Sequence, residues 1–334
     1  MKYLKNLFAF IFCLALLAPV RGQDIHYSQF QMAPLAFNPA LTGAFLGSFR
    51  IGGLYRDQWS NFLSNQFVTP SVYLDSPILK GFRDQDWVGA GMMVFQDQAG
   101  AGKLSFGGLL GSVSYHLGLD KDQKTVLSAG LQMGTLSRKI KEKENFRFED
   151  AIISGQQVSE DLTLISESDA SYLDVAAGLV LTGKTIGTSY YQLGISALHL
   201  TTPDNGLLGT SSSTIPMKFV VHGKYDWDYN ESFRIIPAFF IQNLEKATEV
   251  QFQAMAGYKM LSEDVVVYGG LGYRFGDAFE ILASIDYKSL KAGISYDLTL
   301  ADLAPTGGFE IAVSYIGKIY KRPKVTPAIF CPRF

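Results

Sequence analysis

Apolar and polar residues alternate almost without interruption near the C-terminal end of the chain. The clearest stretch follows Ala278, where every second residue is apolar: Phe279, Ile281, Ala283, Ile285 and Tyr287. Residues 291–299 and 309–315 repeat this pattern. An alternation of period two predicts a β-strand with one apolar face and one wet face. A soluble sandwich or a membrane barrel could contain such strands, and the side chains on the wet face distinguish the two.

The wet faces carry ionisable side chains in the middle of strands. These candidate lumen charges are Lys218, Lys224, Asp226, Arg274, Glu280, Asp286, Lys288, Lys291, Asp297 and Glu310. Charges opposite an apolar face are typical of a transmembrane β-barrel, with lipid outside and a polar interior. Because both signs occur, we expect ion pairs that fill and stiffen the interior rather than an ion filter of one sign. Binding a plug or guiding a polypeptide is the alternative interpretation.

Fourteen segments between residues 48 and 319 have the length and alternation of membrane strands. We therefore predict an all-β fold, an antiparallel transmembrane β-barrel of about 14 strands of the outer-membrane type, over residues 48–320. Residues 23–47 and 321–334 contain several prolines and little alternation. Unpaired backbone groups are costly in lipid, so we expect both segments in the periplasm or in the lumen. The first is a periplasmic or plug segment, and the second a C-terminal tail.

The lengths of the connections predict the orientation of the barrel. Long connections follow the first, third, fifth and seventh predicted strands: Gln58–Gln66, Gln96–Lys103, Lys139–Ala170 and Thr201–Ile215. Outer-membrane barrels have short periplasmic turns and long external loops, so the first strand should begin at the periplasmic end. One segment, Ser76–Asp86, is long for a periplasmic turn. Lys139–Ala170 is either a solvated loop or a functional lid or plug.

Residues 1–22 have the features of a secretory signal peptide. Lys2 and Lys5 precede an apolar run of eleven residues, Leu7–Leu17, and Val20 and Gly22 occupy positions −3 and −1 of a cleavage site. The run is too short for a spanning helix, which needs about 20 apolar residues. We therefore expect cleavage before Gln23 and insertion into the outer membrane.

Composition agrees with a barrel and excludes several other classes of protein. The chain has 334 residues and a formal net charge of −2, so it has no bulk attraction to nucleic acid. Its 33 glycines and 17 tyrosines suit close strand contacts and interfacial aromatic belts. Of the two cysteines, Cys13 falls in the signal peptide, which leaves Cys331 as a tail residue or as a thiol that pairs with a partner.

No arrangement of residues predicts catalysis, a metal or a cofactor. The four histidines are scattered, with no metal-binding spacing. Ser114 and His116 share one face of a strand, which leaves an outer-membrane hydrolase as a weak alternative. The chain has no GxSxG elbow. We expect a protein that is not an enzyme.

Three motifs near the start of the mature chain resemble the PorP/SprF family of type IX secretion system membrane proteins. They are Gln23–Phe30, Asn38–Gly43 and Tyr55–Trp59. Further similar segments, such as Asp97–Gly100 and Cys331–Phe334, run the length of the chain. The residues of these motifs that are candidates for partner binding are His26, Tyr27, Ser28, Gln29, Phe30, Asn38, Pro39, Ala40, Thr42, Gly43, Arg56 and Trp59.

The resemblance implies an outer-membrane barrel that serves type IX protein secretion or gliding motility. Its implied partners are ring-forming periplasmic lipoproteins and peptidoglycan-linked periplasmic subunits, or one large secreted surface adhesin. The family supplies no catalytic residues. Three alternatives stay open: a transport pore for a small solute, the hydrolase noted above, and a structural link between the membrane and peptidoglycan.

Overall fold

The computed structural model describes residues 25–58, 67–100, 102–120, 124–142, 145, 169–185, 187–203, 214–260, 264–300 and 307–319. The expected signal peptide, Trp59, most of Lys139–Ala170 and the tail 321–334 lie outside these residues. No helix within the described ranges is both long and apolar enough to cross a membrane.

Fourteen antiparallel strands form one closed barrel, which confirms the predicted fold class. The strands are β1 (Phe49–Gln58), β2 (Phe67–Lys80), β3 (Trp87–Ala99), β4 (Leu104–Gly118), β5 (Thr125–Ile140), β6 (Asp169–Lys184), β7 (Tyr190–Leu198), β8 (Lys218–Asp228), β9 (Phe233–Leu244), β10 (Ala247–Met260), β11 (Val265–Arg274), β12 (Ala278–Tyr287), β13 (Leu290–Thr299) and β14 (Gly307–Gly317). Each strand pairs with its neighbours in sequence, and β1 closes the barrel on β14 from Phe49↔Gly317 to Gln58↔Gly308. Closure leaves no strand edge unpaired along the wall, as a membrane barrel requires.

Alternate residues of each strand face the lumen and the outer surface of the barrel. In β12, buried and exposed residues alternate at every position. The outward residues include two groups of exposed aromatic side chains. One group lies where β1 ends: Tyr273, Phe275, Phe279, Tyr296 and Phe309. The other lies where β1 begins: Trp227, Tyr229, Phe233, Tyr258 and Tyr287. Aromatic belts on either side of an aliphatic band are the mark of a barrel wall in a bilayer.

The two ends of the barrel differ in their connections. We call the end where β1 begins the turn end, and the end where β1 finishes the loop end. The loop end carries the long connections 59–66, 141–168 and 199–217. The expected long connection Gln96–Lys103 is wrong, because β3 continues to Ala99 and only residues 100–103 precede β4.

The long segment Ser76–Asp86 at the turn end is an extension of β2 followed by a braced turn. Arg83 and Tyr115 both donate hydrogen bonds to the Asp86 carboxylate, at 3.0 Å and 2.7 Å. Burial works to raise the pKa of Asp86, but hydrogen bonds from Arg83, Tyr115 and the Gly118 backbone outweigh it and hold that pKa below its ordinary value. The turn is therefore held by its own Arg83 and by Tyr115 and Gly118 of β4.

Residues 25–48 do not hang from the barrel but fill its lumen, and we call them the plug. The plug contains the 3₁₀ turns Phe30–Met32 and Pro39–Leu41 and one short helix, α1 (Pro34–Phe37). Its first residues lie at the loop end, since the Lys218 ammonium at the start of β8 contacts the Ile25 carbonyl at 3.4 Å. Its last residues lie at the turn end, where β1 begins. The plug therefore crosses the lumen in the direction opposite to β1.

Both apolar clusters of the interior consist of plug and wall together. One joins Tyr27, Met32 and Leu35 to wall residues such as Met93 and Leu136. The other joins the plug residues Phe30, Phe37, Ala40 and Leu41 to the wall residues Ala176, Val180, Leu198, Val220, Ala238 and Phe240. Neither side can bury its apolar surface without the other, so plug and wall form one core.

We predict that the loop end faces the cell exterior. In a Cys331→Ser background, a bulky polyethylene-glycol maleimide should label Lys246→Cys, in the exposed turn before β10, on intact cells. Glu231→Cys, in the exposed turn between β8 and β9, should react only after the outer membrane is permeabilised. The opposite labelling pattern would invert the orientation.

Candidate functional site

Five charged side chains from neighbouring strands meet inside the barrel near the loop end. They are Arg56 of β1, Arg274 of β11, Glu280 of β12, Asp297 of β13 and Glu310 of β14, and we call them the ion cluster. All five are at most 4 % exposed. They converge because each occupies an inward position on its strand and the five strands are consecutive around the wall.

The ion cluster is held by short contacts between opposite charges. Arg56 pairs with Asp297 at 2.8 Å and with Glu310 at 3.2 Å. Arg274 pairs with Glu280 at 2.7 Å and with Asp297 at 3.3 Å. Asp297 is thus shared by both arginines. Unpaired charges buried at this position would be strongly destabilising, so the pairs offset the cost of burying these five side chains.

The plug enters the ion cluster through its backbone. The amide groups of Ser28 and Gln29 donate to the two oxygens of Glu310 at 3.0 Å and 2.8 Å. The Ser28 hydroxyl donates to Asp297, and its carbonyl accepts hydrogen bonds from Gln251 and Gln253. Charge-assisted bonds of this kind are stronger than neutral ones. The plug therefore supplies donors to two of the three carboxylates of the cluster, Asp297 and Glu310.

In the middle of the lumen, Asn38 holds the plug against the wall. Its amide nitrogen lies 3.0 Å from His222 Nε2 and donates to the Ile195 carbonyl at 3.2 Å. Its amide oxygen accepts a hydrogen bond from the Ala40 backbone at 3.0 Å, which caps the turn Pro39–Leu41. One side chain thus shapes the plug and fastens it to β7 and β8.

Glycines in the wall let the plug approach this closely. A Cβ atom at Gly130 would lie 2.3 Å from the Ala40 nitrogen, and one at Gly178 would lie 2.1 Å from Asn38 Oδ1. Neither distance is tolerable between non-bonded heavy atoms, so any side chain at these positions would push the plug inward. At Gly130 the wall contacts the plug backbone, and at Gly178 it contacts the Asn38 side chain.

At the turn end, the carbonyl groups of Thr42 and Gly43 are bound from the wall. Trp87 Nε1 donates to the Gly43 carbonyl at 3.0 Å, and its ring stacks on His116 at 4.5 Å between centroids. His116 Nε2 lies 2.8 Å from the Thr42 carbonyl. These contacts fix the last turn of the plug before β1.

A buried ion pair secures the same end of the plug. Arg50 binds both oxygens of Asp75, at 2.9 Å and 2.8 Å, and the Gly43 amide donates to Asp75 at 2.7 Å. The Arg50 guanidinium also lies 4.8 Å from the centroid of the Phe45 ring. The pairing of β1 and β2 places the two charges directly opposite each other.

Ser114 and His116, the residues of the hydrolase alternative, do contact each other. Ser114 Oγ lies 2.8 Å from His116 Nε2 and also donates to the Thr42 carbonyl. The other ring nitrogen of His116 contacts Ser128, which is not an acid. Both residues are at most 4 % exposed and are covered by the plug. Both side chains contact the Thr42 carbonyl of the plug and so bind the plug to the wall.

The remaining predicted lumen charges lie elsewhere along the wall. Lys218 is buried at the loop end, and Lys224 is half-buried in mid-barrel. Asp226 accepts a hydrogen bond from Tyr190 at 2.6 Å and lies 3.1 Å from Arg234. Asp286 lies 3.7 Å from Lys291.

Lys288 was expected on an inward face, and this is wrong. It is exposed in the turn between β12 and β13, where its φ of +55° ends the strand. The alternation of the sequence runs on through Lys288, and only the backbone turn removes it from the lumen.

The motif residues of the N-terminal segment lie inside the barrel. Tyr27–Phe30, Asn38–Ala40 and Thr42 are all buried, and His26 accepts a hydrogen bond from Arg56 at 3.1 Å. In this structure they are covered by the wall, and Trp59 lies outside the described residues. Their role in partner binding stays a prediction.

Sequence reasoning missed several residues that bind the plug. Arg50 and Asp75 share the inward positions of Arg56 and Tyr73 on their strands, so the alternation itself could have identified them. Gln251 and Gln253 follow the same rule in β10.

Small cavities lie between plug and wall. Two cavities in the described interior have volumes of about 30 Å³ and 40 Å³ and lie beside Phe37 and Ala36. Among the described residues, no group of three or more His, Cys, Asp or Glu side chains could hold a metal ion.

The comparison with protein families identifies one match. The model of the family described as type IX secretion system membrane protein PorP/SprF matches residues 20–315. This confirms the resemblance carried by the N-terminal motifs. No curated protein matches the chain significantly.

Solved structures with a similar fold are outer-membrane barrels. The toluene transporter TodX of Pseudomonas putida is 10 % identical, with 90 % of this chain and 96 % of that chain covered and a TM-score of 0.53. The toluene transporter TbuX of Ralstonia pickettii is 12 % identical, with 90 % and 97 % covered and a TM-score of 0.47. At such identities the likeness concerns the fold alone.

Removing one charge from the ion cluster should destabilise the whole barrel. We expect Asp297→Asn to lower the free energy of unfolding by about 3–5 kcal/mol, because both arginines lose a shared buried partner. Urea unfolding in detergent micelles measures the change. Asp84→Asn is the matched control, since its ion pair with Lys80 is exposed and should change stability by less than about 1 kcal/mol. Equal effects of the two substitutions would show that the ion cluster contributes no more to the free energy of unfolding than an exposed ion pair.

A side chain at Gly130 should displace the plug. We expect Gly130→Val to make the plug cleavable by protease in detergent, because its side chain occupies the position of the Ala40 backbone. Gly269→Val is the control, since a Cβ atom at Gly269 meets nothing within 4 Å. Limited proteolysis with N-terminal sequencing compares them, and a plug that stays protected in Gly130→Val would contradict the close contact.

Proposed function

The chain belongs to the PorP/SprF family of type IX secretion system membrane proteins, and from that premise we propose that it is a non-catalytic docking element of the secretion or gliding machinery. The barrel is a rigid support in the outer membrane, and its two ends carry the surfaces that partners bind. The observation that carries this proposal is the plug, which fills the lumen and is bonded to the wall from the loop end to the turn end.

The filled lumen supports docking over transport. Any solute path through the barrel would have to break the bonds of Ser28, Asn38 and Gly43 with the wall. The Ser28 bond is to the buried Glu310 carboxylate, and a buried charge left short of donors is costly. A barrel built in this way gains stiffness, and stiffness favours the presentation of loops and turns to other proteins.

The family description supports partners from the secretion machinery. We propose ring-forming periplasmic lipoproteins and peptidoglycan-linked subunits at the turn end. A large secreted adhesin at the loop end is the corresponding proposal for a dedicated surface anchor. The proposal includes cleavage of the signal peptide before Gln23. Residues 25–48 cross the lumen, and cleavage leaves the start of the mature chain free to enter the lumen with them.

The proposal includes the absence of enzymatic activity. The Ser114–His116 contact is the arrangement that comes nearest to a catalytic one in the described interior, and the plug carbonyl at Thr42 occupies it. An external energy source for secretion is expected, since the sequence contains no nucleotide-binding motif.

Affinity purification tests the docking role. The tagged full-length protein, extracted from outer membranes in mild detergent, should co-purify with ring lipoproteins or peptidoglycan-binding subunits. One large adhesin in their place would make the protein a dedicated anchor. A barrel that purifies alone and conducts ions in planar bilayers would instead favour the solute pore.

A further inference from the structure

The outer wall of the barrel contains one pronounced groove among the described residues. It has a volume of about 880 Å³, crosses strands β3 to β8 and is lined almost wholly by apolar atoms. The outward side chains beside it are exposed apolar groups such as Leu131, Leu179 and Phe219. It therefore opens toward the hydrocarbon of the membrane and not toward the lumen.

The register of the strands defines the two banks and the floor of the groove. One bank runs through cross-strand partners from Tyr115 to Ile195, and the other runs from Val113 to Phe219. Between them lies a row of inward residues that are also direct partners: Ser114, Gly130, Gly178, Ser196 and Val220. The backbone of that row is the floor of the groove.

The floor is recessed from the outer surface because its backbone packs against the plug. Ser114 and Ser196 donate hydrogen bonds to the plug carbonyls of Thr42 and Phe37. Gly130 and Gly178, between them, have no side chain to hold the wall away from plug residues 38–40. The contact that anchors the plug inside thus also shapes the lipid-facing surface outside.

Small side chains on the banks deepen the groove further. Ala177 and Ala197 face outward on adjacent strands, yet both are half-buried between larger neighbours. Ala283, which faces outward on β12 beyond the groove, is exposed. Ala177 and Ala197 therefore lower one bank between the larger side chains of Leu131 and Phe219.

The dimensions fit a hydrocarbon chain better than a helix. The banks are two residues apart along each strand, or about 7 Å, whereas an α-helix with side chains is about 10–12 Å wide. Six strands span five spacings of about 4.8 Å, or about 24 Å. A leaflet is about 15 Å deep, so a chain inclined at about 45° needs about 21 Å.

We propose that this groove binds one acyl chain of a membrane phospholipid. The chain lies across β3–β8 with its methylene groups on the backbone of the floor row. No charged side chain lines the groove, so recognition is by shape and apolar contact and leaves the headgroup outside. The proposal rests on the membrane location of the barrel and does not depend on the secretion role.

Native mass spectrometry of the delipidated full-length protein, with phosphatidylethanolamine added back, tests the site. The wild type and Ala283→Trp should hold one lipid with an affinity at least tenfold higher than Ala177→Trp, whose indole fills the groove. Equal retention by all three proteins would overturn the proposal. So would an acylated polypeptide that co-purifies in the groove and is not displaced by added lipid, because the occupant would then be a lipoprotein anchor.

Photo-crosslinking of the unmodified protein keeps the test valid if Ala177→Trp fails to fold. In nanodiscs that contain phosphatidylethanolamine with a diazirine on one acyl chain, cross-links should concentrate on peptides 113–131 and 177–197. The outward faces of β11–β14 are the internal reference. An even distribution of cross-links around the barrel would show ordinary lipid contact and would refute specific binding in the groove.

Discussion

Burial of charge inside a closed wall is the constraint on which the rest of this structure depends. Two arginines and three carboxylates are held out of water in the ion cluster, and they are stable there only because each carboxylate has several donors. The amides of Ser28 and Gln29 supply two of those donors to Glu310. Without the plug, Glu310 would lose both of these bonds, and a charge left short of partners at such depth is expensive.

This constraint explains why plug and wall act as one unit. The plug is bonded at both ends and in the middle, and the apolar clusters between these points contain residues of both. The covalent link through β1 makes the arrangement intramolecular, so no translational freedom is lost when the plug binds. A barrel with an empty lumen would have to leave the same charges to water or remove them.

The contact between plug and wall also affects the outer surface of the barrel. Gly130 and Gly178 bring the backbone of β5 and β6 against the plug, and the outer surface sinks at the same row. The wall is a single sheet, so each side chain faces either the lumen or the lipid, but a shift of the backbone changes both surfaces. Packing between wall and plug inside the barrel therefore also shapes the surface that faces the lipid. The proposed lipid-binding groove is thus a consequence of the same contacts that make the barrel rigid.

The sequence by itself determined which residues face inward and which face lipid, because successive side chains of a strand point to opposite sides whatever their neighbours are. That rule identified the fold, the fourteen strands and charges such as Arg274 and Asp297. It failed at Lys288, where a turn ends the strand, and at Gln96–Lys103, where β3 is longer than its apolar pattern. Only the tertiary structure decided which charges meet and where residues 25–48 lie. Those facts depend on contacts between residues hundreds of positions apart, such as Ser28 and Glu310, and no local period carries them.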